Sequence, residues 1–504
     1  MDEDRKTMMD PTFDPAEEGV AALAAALAQG RTSSVRLVDA YLARIAAYDR
    51  AGPELHAMIC LHPGARDEAV RLDDERARGI CRGVLHGLPM VVKDNIDVAG
   101  LPTTAGSVLW CDHVAPRDAA VVRALREAGA IVLGKSNMSE FACSNGWYGY
   151  SSLGGLTRNP YNPARNAAGS SSGSAAAVAA GFAAYALGTD TFGSIRAPSC
   201  VTGLVGLRPT PGLCPNDGIV PLAPAFDVVG PMARSVADAA IVLRAMTGGG
   251  VAMSADDSAG LRPGALRGAR LGIALDFPGE GEVAEIFRAA CSAMARAGAD
   301  MIPIRLPDGA TSVHADFLGP LADAQWEDAL AAYFAGREGD WPRSLAALAG
   351  AASAPAAPDR ERPINPRTVA FLGHALAQAG AVSPARRASL LGLQSTFRDA
   401  LCALLRRARL DAIVYPSLSC PASPRFDLPD PTYVCTAGNF YLPLYVASAA
   451  GMPDVTVPAG MARAGVPVGV SFMGPPLGEA GLLALAYGFE QAAHARVPPR
   501  LPRP

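Results

Sequence analysis

Lysine is nearly absent from this chain of 504 residues. Of its 44 basic side chains only Lys6, Lys93 and Lys135 are lysines, and the rest are arginines. Charge of either sign is sparse, 18% of residues, and 44 basic against 48 acidic groups leave a net charge of -4. No cluster of Lys or Arg is present to follow a phosphate backbone, which excludes nucleic acid as a direct ligand. No run of about 18 uncharged apolar residues occurs, so no membrane-spanning helix is expected. The opening Met1, Asp2, Glu3, Asp4 is acidic where a secretory signal carries a basic n-region. These absences describe a soluble, cytoplasmic protein. The ten cysteines, Cys60 to Cys435, include no C-x-x-C pair and no histidine at zinc spacing. Neither a metal site nor a redox motif is signalled, and free, mostly buried thiols are expected.

What is present is a large apolar fraction, 50% of residues, punctuated by 52 glycines and 42 prolines. Such a chain buries a large core, which excludes disorder, collagen-like repeats and a small disulfide scaffold. At about 150 residues per domain the length suggests roughly three domains, although one large α/β sheet also reaches this size. The lysine scarcity carries further. Where arginine is the default cation, a retained lysine suits the one task arginine cannot perform, loss of its proton near neutral pH. Lys6 lies in a polar N-terminus, so Lys93 and Lys135 are the two to follow.

Residues 16 to 50 predict two helices, with Leu37, Tyr41, Leu42 and Ile45 at helical spacing and Ser33 or Ser34 as N-cap. A helix over 64 to 79 ends at Gly79, and the run Gly87 to Val92 reads as a short buried strand leading straight into Lys93. A helix over 118 to 129, a strand over 130 to 133 and a turn at Gly134, Lys135 and Ser136 follow. From Ser144 to Ser174 the composition turns to Gly, Ser, Asn and Pro, a long loop of the kind that carries function. A small-residue helix over 175 to 181, a strand over 184 to 189, a polar turn over 190 to 196 and a strand over 203 to 207 come next. Beyond a helix at 235 to 247, strands are predicted at 271 to 275, 301 to 304, 412 to 415, 455 to 457 and 467 to 472. Helices fall at 281 to 297 and 478 to 494, and 306 to 408 is mostly helical around an Ala/Pro-rich stretch, 351 to 363. This alternation is α/β.

Two serine-bearing turns flank the short helix and strand of the middle segment. Gly169-Ser170-Ser171-Ser172-Gly173 matches G-x-S-x-G, which would make Ser171 a nucleophile served by one of the downstream histidines His314, His374 or His494. None of these has a convincing local context. A neutral lysine is the other way to activate a serine, and Lys93 at the end of a buried strand fits that role.

At this point the chain resembles the amidase signature family. The resemblance rests on Gly87-Leu88-Pro89 leading to Lys93-Asp94, on the segment Gly169 to Ser174, and on Gly188-Thr189-Asp190-Thr191-Phe192-Gly193-Ser194-Ile195-Arg196, in that order and spacing. It continues through Gly203 to Thr210, Gly230 to Arg234, Val457 to Gly460 and Pro467 to Gly469, covering residues 16 to 495. The resemblance implies a single amidase domain over 10 to 500, a large mixed twisted sheet covered by helices on both faces, with the region 306 to 408 flanking the substrate entrance. It implies Ser194 as nucleophile, Ser170 as a bridging serine after a cis bond to Gly169, and Lys93 as base. Backbone amides of Thr191, Phe192, Gly193 and Ser194 would hold the oxyanion, with Gly169, Ser171, Asp190 and Arg196 in support. No metal or organic cofactor is implied.

Two positions depart from the commonest pattern. Phe192 and Ser172 stand where the family usually has glycine, and Phe192 would narrow the acyl pocket and resist a positive φ. The Gly169 to Ser174 string and Phe489-Glu490-Gln491-Ala492 are similar to the peptide amidase branch, whose members cleave C-terminal amides of peptides. Trp147, Tyr148, Phe192 and Tyr441 are the expected pocket walls. The expected partner is a small-molecule or peptide amide, with no nucleic acid or membrane, and a homodimer is left open. Two rival readings are the A subunit of a glutamine-dependent aminoacyl-tRNA amidotransferase and a non-catalytic scaffold on the same fold.

Overall fold

Alternating helices and short apolar strands give one mixed sheet in the structure, a computed structural model that describes residues 14–248, 261–355 and 362–501. Its strands are β1 (Met58–Leu61), β2 (Pro89–Lys93), β3 (Ile131–Ser136), β6 (Tyr185–Asp190), β7 (Val205–Arg208), β8 (Val228–Ala233), β9 (Arg270–Ala274), β10 (Asp300–Ile304), β11 (Ala412–Pro416), β12 (Asp454–Met461) and β13 (Pro467–Met473). A small ribbon of β4 (Tyr150–Ser151) and β5 (Gly155–Leu156) stands apart. The order across the large sheet is β1-β3-β2-β6-β8-β7-β12-β13-β11-β9-β10. The strands β3, β2 and β6 run parallel, as do β11, β9 and β10, while the remaining neighbours pair antiparallel.

Every residue of β2, β3 and β6 is buried, the pattern of parallel strands covered on both faces. Their register sets the site. Val92 lies opposite Leu187 in the β2–β6 pair, so Lys93 and Thr189 emerge together at the carboxyl ends of two neighbouring strands. Open α/β sheets characteristically place their ligands outside such ends.

The helices follow their local signals. Ser33 caps the helix Ser34–Tyr48 by accepting from Arg36 N–H at 3.2 Å, and Ser235 and Ser383 cap later helices in the same way. Between residues 314 and 408, helices Gly319–Phe334, Leu345–Ser353 and Pro366–Gln378 pack around Trp326, Leu330, Phe334, Leu345 and Leu372, while Pro384–Ala408 buries Leu390, Phe397 and Leu401 in a second cluster with Phe317 and Leu321. Trp110 and Phe141 join the first cluster from the N-terminal half. Each such fully buried large side chain contributes about 1.5–3 kcal/mol.

Several expectations need correction. Gly134, Lys135 and Ser136 continue β3 instead of turning, held by β1 on one side and β2 on the other. The strand β8 was hidden by Gly230-Pro231, since proline withholds a ladder donor and argues against a central strand. The helix predicted from 175 starts at Ser172, and a short helix, Arg196–Val201, fills the unassigned gap between the turn expected over 190 to 196 and the strand expected from 203. Cys420 and Cys435 form a disulfide rather than remaining free, because the loop after β11 folds back and brings their Cα atoms to 5.9 Å. The other eight cysteines are free. Lys6 and much of the 351 to 363 stretch lie outside the described residues.

Candidate active site

Lys93 is fully buried at the end of β2, with its Nζ 2.8 Å from Ser170 Oγ. Nζ also donates to Thr189 Oγ1 at 2.7 Å and reaches Thr189 O at 3.4 Å. Asn95 Nδ2 donates to the same Thr189 hydroxyl at 3.1 Å. Burial disfavours the ammonium and pulls Lys93 down to about 7, although the carboxylates of Asp190 and Asp227 oppose that shift. A neutral amine at this place has a lone pair to offer Ser170.

Ser170 follows a cis peptide bond from Gly169. A Cβ on Gly169 would fall 2.4 Å from Ser139 Oγ and 2.6 Å from Ser144 Oγ, so the turn has room only for glycine. Tyr441 closes it from the other side, its hydroxyl accepting from Gly169 N–H at 3.1 Å. Ser171 is spent on the scaffold: its hydroxyl donates to Thr189 O at 3.2 Å and accepts from Thr189 N–H at 3.3 Å. Ser171 N–H donates to Ser194 O at 3.2 Å, which ties the two serine turns together.

The second turn is built by Asp190. Its carboxylate accepts from Gly193 N–H at 2.9 Å and Ile195 N–H at 3.0 Å, and from the guanidinium of Arg196 at 3.0 and 3.1 Å. Arg208 adds a contact at 3.0 Å, and Arg196 reaches on to Asp454 at 2.8 Å. Burial pushes Asp190 up, but the charges of Arg196 and Arg208 outweigh it and hold the carboxyl far below the usual range. The turn is thus clamped by four charged side chains with no access to solvent. Gly193 N–H is engaged by Asp190, which leaves the amides of Thr191, Phe192 and Ser194 as candidates for a substrate oxygen. The left-handed conformation falls on Gly193, φ 107°, and not on Phe192, so the anticipated conflict at Phe192 does not arise.

With this geometry in hand, similarity to known proteins decides the family. The amidase sequence model matches residues 36–483. The chain belongs to the amidase family. A peptide amidase from Stenotrophomonas maltophilia has the same fold, with a TM-score of 0.86 and 39% identity over 96% of this chain and 99% of that one. An amidase family protein from Bacillus anthracis aligns with a TM-score of 0.82 and 31% identity over 96% of this chain and 92% of that one. Among curated sequences, the A subunit of the glutamyl-tRNA(Gln) amidotransferase of Salinispora tropica is 39% identical over 302 residues, 57% of this chain and 60% of that one. The matched stretches span 38 to 64% of the length of such curated relatives. The mixed sheet of 11 strands is therefore the amidase fold.

In this amidase, Ser194 is half-buried and opens on a cavity of about 410 Å³. Of the four expected wall residues, Tyr148, Phe192 and Tyr441 line it and Trp147 does not. Trp147 instead stacks on Phe426, centroids 4.1 Å apart, because the loop after β11 covers it. Tyr148 stacks on Tyr441 at 5.4 Å, and Phe192 meets His314 and Tyr445 edge-on at 5.9 and 6.1 Å. Lys135 turns away from this cavity, donating to Pro102 O at 2.9 Å and pairing with Asp94 at 3.3 Å.

The helical region 306 to 408 was expected at the substrate entrance, but apart from His314 and His374 its lining side chains were not singled out. Gly319, Ala322, Asp323 and Trp326 line the cavity from one helix, joined by Phe371 and His374 from another. Their spacing of three, four and seven places is one helix face, and an aspartate between small residues on such a face was the available signal.

Proposed function

We propose that this protein is an amidohydrolase that cleaves the terminal carboxamide of a peptide or amino acid amide, a linear amide, to the acid and ammonia. The observation that carries the reading is Lys93, buried, drawn down to about 7 and in contact with Ser170 beside the Ser194 turn. Neutral Lys93 takes the Ser170 proton as Ser170 takes that of Ser194, whose Oγ bonds to the carbonyl carbon. The oxyanion is held by free amides of the Thr191 to Ser194 turn. The proton returns through Ser170 to the leaving nitrogen, the C–N bond breaks, and ammonia departs from an acyl ester on Ser194. Water then adds by the same relay, releasing the carboxylic acid and restoring the serine.

The peptide amide class is supported by similarity to the peptide amidase and by the aromatic walls Tyr148, Phe192, Tyr441 and Tyr445, which suit a flat acyl chain. The amidotransferase reading is less well served. Free glutamine carries an α-carboxylate, and no lysine or arginine is among the described residues lining the cavity. A cytoplasmic setting meets one opposing observation, the Cys420–Cys435 bridge, since such bridges persist in oxidising compartments.

The test is ammonia release from aliphatic amides, aromatic amides, C-terminally amidated dipeptides and glutamine, with Ser194→Ala as control. Dipeptide amides are expected to be turned over and the signal to vanish in the variant. Turnover retained by Ser194→Ala overturns the mechanism, and glutaminase activity that appears only with a second protein overturns the substrate class.

A further inference from the structure

The cavity above Ser194 has a charge character that the serine chemistry does not require. Its lining contains a single carboxylate among the described residues, Asp323, and no lysine or arginine. Arg367 packs its guanidinium against Gly146 but is not among the lining side chains. Asp323 projects from the helix Gly319–Phe334 with a side chain 22% exposed, and His374, 58% exposed, stands 3.6 Å from it at the solvent side of the cavity. The carboxylate is therefore neither sealed in the core nor fully hydrated. Burial pushes His314, on the same wall, down from its ordinary value, so that ring is a neutral imidazole at pH 7 and does not cancel the charge of Asp323.

The rest of the wall completes a cation's environment. Tyr148, Trp326, Phe371 and Tyr445 present aromatic surface to the same space, and ring faces attract ammonium groups. Among the described residues Asp323 pairs only with the solvent-side ring of His374, and since a hydrolysed carboxamide has no charge of its own, the group this arrangement suits is a cation elsewhere on the substrate.

We propose that Asp323 is a specificity residue that binds the protonated amine of the substrate, so that the preferred substrates are amino acid or short peptide amides with a free ammonium group. The proposal rests on the amidase reading above. Amides whose amine is blocked enter the same cavity without this partner and are turned over less efficiently. The gain arises from binding, so it is expected in kcat/KM through KM more than in kcat.

The experiment compares one dipeptide amide with its N-acetylated counterpart at pH 7, where an α-amine of ordinary pKa, about 7.7–8.0, is mostly protonated. The wild type is expected to favour the free amine by about tenfold in kcat/KM, the scale of a partly desolvated charge pair. Asp323→Asn is expected to remove that preference by slowing only the free-amine substrate, and Asp323→Glu to keep most of it. Unchanged hydrolysis of the acetylated amide by Asp323→Asn shows that the variant is folded and its serine chemistry intact. A wild type without preference, or an Asp323→Asn that slows both substrates equally, overturns the proposal while leaving the amidase reading in place. Hydrolysis of neither amide by the wild type overturns the peptide amide reading on which the proposal rests, and the proposal with it.

Discussion

A lysine with no solvent contact is a costly feature unless its neutral form is useful, and Lys93 is held where that form faces a serine hydroxyl. The protonated amine has no lone pair, so the active fraction falls tenfold per pH unit below the pKa. For this protein kcat/KM is expected to rise with pH up to about 7 and then level off. A pH profile with the amide of best turnover checks this. Lys93→Ala is expected to lower kcat/KM by about 10²–10⁴ with an unchanged circular dichroism spectrum, the range for a general base. Asp190 permits a different test at the same scale. It accepts from three turn amides and two arginines, all buried, so Asp190→Asn leaves Arg196 and Arg208 short of countercharge. Breaking such a buried pair costs about 3–5 kcal/mol, and thermal unfolding should show a large fall in Tm. Lys93 was legible because it is a lysine in an arginine-rich chain at the end of an apolar strand, whereas Asp190 was reached only through the family resemblance. Trp147 was misread because an aromatic in a long loop signals a contact without saying with what, and Phe426 lies far along the chain. Asp323 and His374 gave no signal of that strength, since charged residues on helices are ordinarily solvated.

Among the elements, β2 and β6, built from unbroken apolar runs, match their sequence reading closely, and they are the ones that carry Lys93 and Thr189; β3 was cut short at 133 because its polar end, Gly134 to Ser136, looks like a turn. The strand β8 and the bridged loop do not match, for opposite reasons. Proline at position 231 contradicts a ladder that neighbouring strands nevertheless impose, and cysteines 15 residues apart carry no pairing information until the chain folds back. That loop ends at Tyr441, which holds the Gly169 peptide and lines the cavity, so the bridge shortens the free chain leading into the site. Closing a loop of this length restricts the unfolded chain by about 3 kcal/mol on the entropy account. Cys435→Ser is accordingly expected to lower Tm, and reductant to lower that of the wild type to a similar value. Thiol titration of the unfolded, unreduced wild type should find eight free groups; ten would show the bridge open.

For the whole molecule, the sheet determines how strongly stability and activity oppose each other at one position. Lys93 ordinarily titrates at 10.5 and here at about 7, buried between the ends of β2 and β6. Below pH 7 both the folded and the unfolded chain hold the proton, and the folded state bears the whole burial cost. Between 7 and 10.5 the unfolded chain binds a proton that the folded one has shed, so this lysine's contribution makes stability rise with pH, by about 1.4 kcal/mol per unit. Above 10.5 neither state is protonated and the contribution is constant. Lys93→Met fills the same space without a titrating group, and volume-conserving replacements in a core cost little. The variant is thus expected to be inactive yet to melt at a higher temperature than the wild type at pH 7, with the gap shrinking steadily as the pH approaches 10. Comparing the two proteins cancels every other titrating group they share, so a gap that stays constant across that range would mean that Lys93 keeps its ordinary pKa, and with it the proton that the serine relay needs it to lose.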